Sequence, residues 1–156
     1  MCSSDLVANA ARRSLAAGEQ EVVPRVCDLD ALAASTAGKV EIETLEDGRE
    51  SQVLERIVKA ATLEVFRARV RPERLGPIVA AFEDGLVVHT GEDVPSSSYA
   101  DVLPQMPGLS SVLSDLGVGE SPAAVASAIE FVLEGLHLTK RLNKDAVGGR
   151  AVFRSR

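Results

Sequence analysis

The chain of 156 residues contains no tryptophan, one tyrosine and four phenylalanines, so aromatic residues make up only 3% of it. A platform that stacks the bases of single-stranded nucleic acid needs several exposed rings, and this sequence is too poor in them. Cysteine is equally scarce. Cys2 and Cys27 stand in no CxxC pair and in no Cys/His cluster with metal-ligand spacing, so each reads as a buried or idle thiol. The two histidines, His89 and His137, are far apart and without HExxH spacing, which removes the simplest metal site. Long apolar runs are missing too. Glu130 and Glu134 interrupt the best candidate for a bilayer span of about 20 residues, and no signal peptide opens the chain. No membrane partner is expected, and the cytoplasm is the expected compartment.

What is present is an ordinary globular composition, 46% hydrophobic and 26% charged. The length suits one domain or a tight pair of small ones, and a folded chain of this size hides roughly 68–70% of its unfolded surface without a metal or disulfide staple. The net charge of −6 makes duplex nucleic acid a poor default partner, since phosphate backbones call for a basic surface. Charge is unevenly spread. Lys140, Arg141, Lys144, Arg150, Arg154 and Arg156 stand against the single acid Asp145, so the last residues are basic and the remainder strongly acidic. This end reads as a solvated helix terminus followed by a frayed tail, with anion or partner docking as the alternative.

Along the chain, Asp5 is placed to cap a first helix over Leu6–Ala17, with Gly18 as its left-handed stop. Asp28 is placed to cap a second, Leu29–Ala37, ending at Gly38. Lys39–Leu45 alternates apolar and acidic residues and reads as a short strand or extended arm, followed by the Asp47-Gly48 turn. Glu50 to about Val70 is the clearest helix, with Val53, Leu54, Ile57, Val58, Ala61, Val65 and Phe66 as its apolar stripe. Pro72 opens a helix to about Phe82, closed by Asp84-Gly85, and Leu86–His89 reads as a single strand, a partner for the Lys39–Leu45 arm. Short helices over Tyr99–Leu103 and Leu109–Leu116 precede a long one, announced by Ser121-Pro122 and expected to run to about Asn143. The Gly148-Gly149 tail carries no pattern. The expected fold is mainly α: a small helical bundle over residues 7–70, a helical C-terminal module over 71–145 with at most one or two short strands in all, and a basic flexible tail over 146–156.

Motifs with chemistry are absent or incomplete. Gly38-Lys39 fails as a phosphate loop on both sides, because Ala33 stands where the leading glycine belongs and Val40 replaces the magnesium-binding Ser or Thr; it reads as a helix stop beside an exposed lysine. Gly117-Val118-Gly119 has no strand before it and reads as a loop. Glu130 and Glu134 are one helical turn apart, a spacing open to a carboxylate pair, but a solvated face is the expectation. His137 reads as a half-buried packing residue. No G-x-S-x-G elbow occurs. No catalytic, cofactor-binding or metal-binding residue is assigned.

Two stretches carry a family likeness. Arg25–Arg67, RVCDLDALAASTAGKVEIETLEDGRESQVLERIVKAATLEVFR, and Ala128–Asp145, AIEFVLEGLHLTKRLNKD, resemble the C-terminal region of bacterial AAA+ ATPases of the MoxR and magnesium-chelatase I-subunit-like group, some of which are described as transcription regulators. The likeness extends over most of the chain from about Leu6. It implies lid helices followed by a helical module, partnered by an upstream α/β core that binds ATP and magnesium, by neighbouring ring subunits and by a protein substrate of unknown identity. It also implies that the phosphate loop, the acidic magnesium motif, the sensor and the arginine finger lie upstream, so this chain is expected to be N-terminally truncated. The family's lid arginine would precede the first helix and is not carried onto Arg12 or Arg13, which read as surface residues. Residues 1–6 are expected to be a non-native leader, because Met-Cys-Ser-Ser-Asp-Leu resembles translated sequencing-adapter DNA; a short native start is the alternative. A self-contained acidic helical module that binds a protein partner through the Glu50–Val70 stripe is the competing reading.

Overall fold

The structure is a computed structural model that describes residues 2–36 and 50–156. Among these residues the chain is mainly helical with one small sheet, the expected class. The Lys39–Leu45 arm, the Gly38-Lys39 pair and the Asp47-Gly48 turn lie outside the described residues.

Helix α1, Cys2–Ala16, begins before Asp5, so Asp5 lies in its first turns and does not cap it. Its end is as expected: Gly18 adopts φ 67°, and the Gly18 and Glu19 amides donate to the carbonyls of Leu15 and Ser14 at 3.2 and 2.8 Å. Those two bonds satisfy carbonyls the helix leaves unpaired, at a left-handed position that glycine enters without strain. A 3-10 turn, Val26–Leu29, leads into the short α2, Asp30–Thr36. The turn exists because Asp28 bends back to accept from the Arg25 amide at 2.8 Å, where the sequence had suggested a cap for a longer helix.

Helix α3, Glu50–Arg69, covers one side of the expected stripe and leaves the other exposed. Leu54, Val58 and Thr62 are half-buried, and Phe66 and Val70 are buried, all in steps of four. Ile57, Ala61 and Val65 sit one residue, about 100°, around the helix and are exposed. The apolar stripe is wide, and only its edge meets α6.

Beyond α3, a 3-10 turn at Pro72–Arg74 precedes α4, Gly76–Glu83, then strand β1, Val88–Gly91. Two further 3-10 turns, Ser96–Ala100 and Leu103–Gln105, lead to α5, Leu109–Asp115, and to α6, Pro122–Leu138. Ser121 caps α6 as expected, its Oγ accepting from the Ala124 amide at 3.2 Å with Pro122 in the first turn. The helix stops at Leu138, earlier than Asn143. Lys140 takes φ 61°, and the Lys140 and Arg141 amides close onto the carbonyls of His137 and Leu136, both at 2.8 Å. This is the same terminating geometry as at Gly18, built on a non-glycine residue.

The residues after it form a hairpin, not a frayed tail. Strands β2, Asn143–Val147, and β3, Arg150–Arg154, pair antiparallel across Gly148-Gly149, and both glycines have positive φ, 60° and 78°. A two-residue loop with positive φ at both positions matches the twist of the flanking strands. Strand β1 pairs with β3, with Val88 opposite Phe153, so the sheet order is β1-β3-β2 and the partner of the Leu86–His89 segment is the C-terminal strand.

One apolar core joins these parts. It contains Phe66 from α3, Ile78 and Phe82 from α4, Val88, Tyr99, Met106, Leu109 and Val112, the inner face of α6 and Phe153 of β3. Among the described residues, none from 2 to 36 belongs to it.

Candidate functional site: a buried charge cluster

The chemistry of this chain is concentrated where α1, the Val26–Leu29 turn, the Ser96–Ala100 turn and α6 converge. Arg13 is 5% exposed, not a surface residue as expected from the sequence; Arg12, one position before it, is exposed. The Arg13 guanidinium donates to both Asp28 carboxylate oxygens at 3.1–3.2 Å, to Glu19 Oε2 at 3.1 Å and to the Val23 carbonyl at 2.7 Å. Asp28, fully buried, also accepts from Asn9 Nδ2 at 3.0 Å. Burial alone would favour the neutral guanidine, but the hydrogen bond and charge of Asp28 outweigh it and hold Arg13 above its ordinary value.

Glu19 connects this pair to the rest of the chain. Its Oε1 accepts from the Ser96 amide at 2.8 Å and lies 3.5 Å from Arg25 Nη2. Burial pushes its carboxyl upward, yet the Ser96 amide and the cations Arg25 and Arg13 prevail, so the net shift is below the usual carboxylate range. Arg25 is 3% exposed; its Nη1 donates to the Val94 carbonyl at 2.8 Å, and its guanidinium lies 5.6 Å from the centre of the Tyr99 ring. Its Nε and Nη2 make no hydrogen bond to any described residue.

Glu130 completes the cluster from α6. Where the sequence suggested a solvated face, Glu130 and Glu134 are 2% and 4% exposed. The covering elements are the 3-10 turns and the hairpin, which the helical periodicity of α6 does not reveal. Glu130 Oε1 accepts from the Tyr99 hydroxyl at 2.6 Å and lies 3.5 Å from Arg25 Nη1; Oε2 accepts from the Cys27 amide at 3.2 Å. Desolvation nonetheless dominates and raises the Glu130 carboxyl above its ordinary value, despite the Tyr99, Arg25 and Cys27 contacts that favour the anion. Glu134 instead takes Lys144 of β2 at 2.6 Å, and Lys144 lies 5.7 Å from the centre of the Phe153 ring.

A cavity of about 290 Å³ lies beside the cluster, bordered by Asp30, Lys59, Glu130, Glu134, His137 and Lys144. Burial raises the Asp30 carboxyl. His137 is half-buried, as expected, with Nδ1 3.3 Å from the Leu142 carbonyl. Cys27 is half-buried; burial and then the charges of Glu130 and Asp28 push its thiol well up, which keeps it protonated and a poor nucleophile. The Tyr99 phenol is raised for the same two reasons, burial first and Glu130 second. No group of three or more His, Cys, Asp or Glu residues is arranged to hold a metal among the described residues. His89 is an exposed residue of β1, and Gly117-Val118-Gly119 is a loop beside α6.

Four of the six cations of the C-terminal end are engaged. Besides Lys144, Arg150 pairs with Asp93, Arg154 with Asp145 at 2.7 Å, and Arg156 donates to the Lys140 carbonyl at 3.0 Å. The cluster missed by sequence reasoning joins residues more than 100 positions apart, and its only local trace was charge in helices otherwise suited to burial. Comparison of the chain with known protein families, curated proteins and solved structures finds no match.

Proposed function

We propose that this chain is the lid-like and C-terminal helical portion of an AAA+ ATPase of the MoxR and magnesium-chelatase-like group. In this reading it supports ATP binding and hydrolysis by a nucleotide-binding core and neighbouring ring subunits, does not itself hold the ATP site, and works in the cytoplasm. The observation that carries the reading is that the two stretches with the family likeness meet in space. Cys27 and Arg25 of the first contact Glu130 of the second, and the Phe66 ring lies against α6 at Gly135. Exposed Val7 and Leu15 on α1, 52% and 78% accessible, add apolar surface for a nucleotide-binding core to cover. No helix among the described residues is long and apolar enough to cross a membrane.

A second reading, a helical module that binds a protein partner through α3, is favoured by the exposure of Ile57 and Val65 on that helix. Calorimetry with ATP and magnesium separates the two when the chain is compared with a version extended upstream to a phosphate loop in the same locus. Binding by the extended version alone supports the ATPase reading. Binding by the chain itself, or an upstream frame without a phosphate loop, overturns it.

A further inference from the structure

We propose that the N-terminal helical unit, residues 2–36, is a detachable element held to the rest of the protein by a buried polar clasp centred on Arg25 and Glu130. The inference stands on the geometry alone and does not require the ATPase reading.

The apolar core runs from Phe66 to Phe153 and takes no described residue from this unit. Four hydrogen bonds tie the Glu19–Cys27 segment, between α1 and α2, to the remainder. The Ser96 amide donates to Glu19, Arg25 donates to the Val94 carbonyl, the Cys27 amide donates to Glu130, and Ser127 Oγ donates to the Pro24 carbonyl at 2.6 Å. Helix α2 also packs on α3. Within the unit, by contrast, Arg13, Asp28, Asn9 and Glu19 are bonded to one another, so α1 and the turn move as one body.

Such a joint differs physically from an apolar one. Apolar packing is non-directional and tolerates small shifts, whereas a buried ion pair is retained only while both partners are present and well placed. Two cations, Arg13 and Arg25, face three carboxylates, Asp28, Glu19 and Glu130, with the Tyr99 hydroxyl and Cys27 thiol beside them and Glu134 one turn along α6. The carboxylate in excess is on the C-terminal side of the joint, so Arg25 is the cation that balances it there. Beside the joint, an open groove between Val23–Leu29 and Leu116–Phe131 has a largely apolar lining.

Cys27 reports the joint, because its Sγ lies 4.0 Å from Glu130 Oε1 and is half-buried. In the full chain carrying Cys2→Ser, the rate at which a disulfide reagent labels Cys27 is measured at rising sub-denaturing urea, beside global unfolding followed by circular dichroism. The expected result is labelling through an opening whose urea slope is less than half that of global unfolding. Arg25→Gln raises the rate at least tenfold, although loss of this cation by itself makes the thiol less acidic, and adding Glu130→Gln restores slow labelling. Labelling that is independent of urea, that follows the full global slope, or that Arg25→Gln leaves unchanged overturns the proposal. Should Arg25→Gln fail to fold, the urea slope of the parent chain decides alone.

Discussion

Gly135 sits in the middle of α6, where alanine would ordinarily strengthen a helix by about 1 kcal/mol. Here the opposite sign is expected. A Cβ built on Gly135 would overlap Cγ, Cδ2 and Cε2 of Phe66, the near half of the ring and not a flexible tip. Phe66 is 2% exposed and meets Phe131 edge-on, with centroids 5.8 Å apart at 67°. The ring therefore has no empty direction to take, and relief requires α3 to slide from α6 or the ring to leave the core. Forcing extra volume into a packed site costs about 1–3 kcal/mol, and losing a buried Phe outright costs about 3–5 kcal/mol. After subtraction of the helical gain the two routes leave about 0–2 and about 2–4 kcal/mol, so Gly135→Ala is expected to destabilise the protein by about 2 kcal/mol, near 4–8 °C in Tm for a chain of this size. With no tryptophan, the assay is urea unfolding followed by far-ultraviolet circular dichroism. A double-mutant cycle with Phe66→Ala provides the control, since removing the ring should convert Gly135→Ala from destabilising to neutral or stabilising. Unchanged or raised stability for Gly135→Ala alone would refute the close packing of α3 on α6.

Three further outcomes are expected. Ser121→Ala removes the Oγ acceptor for the Ala124 amide and should lower stability by about 1 kcal/mol, read from the urea midpoint. Lys140→Gly should raise stability by about 1 kcal/mol, because the left-handed φ of 61° penalises a side chain there and no described side-chain bond of Lys140 is lost; a fall in the midpoint would contradict this. The third concerns acid. Glu19 has its carboxyl held below the ordinary value of about 4.3 in the folded state, so its contribution is complete above that pH and disappears as pH falls below it. Stability of the parent chain relative to Glu19→Gln should therefore shrink below about pH 4.3, and a difference that stays constant from neutral pH to pH 3 would be incompatible with the Glu19 contacts. Glu130 acts with the opposite sign: its raised carboxyl lends stability at low pH that is lost as pH rises through its folded value.

Much of the chain was legible from local rules. Gly18, Ser121-Pro122 and Asp84-Gly85 punctuate helices because cap chemistry and positive φ act over three or four residues, within reach of sequence. Glycine-glycine between Val147 and Arg150 was a hairpin signal of the same local kind, hidden because the flanking residues do not alternate in polarity. Lys140 as a helix stop had no local sign at all, since lysine has no preference for the left-handed region and is held there by the turn into β2.

What only the tertiary structure decided is which side of each element is covered. Periodicity gave α3 an apolar face wider than one neighbour can bury, and the approach of α6 at Gly135 selected the line through Val58, Thr62 and Phe66. The charged residues show the limit more sharply. Glu130 and Arg13 look like surface residues in any local window, because burying a lone charge is costly and sequence does not announce its partner. Partners do arrive, from Tyr99, Cys27 and Arg25 for one and from Asp28 and Glu19 for the other, across as many as 105 positions of chain. The sequence by itself determined the mainly helical class and the stops that glycine and cap residues mark; the end of α6 at Lys140 and the long-range pairing that makes buried charge affordable were settled by the fold.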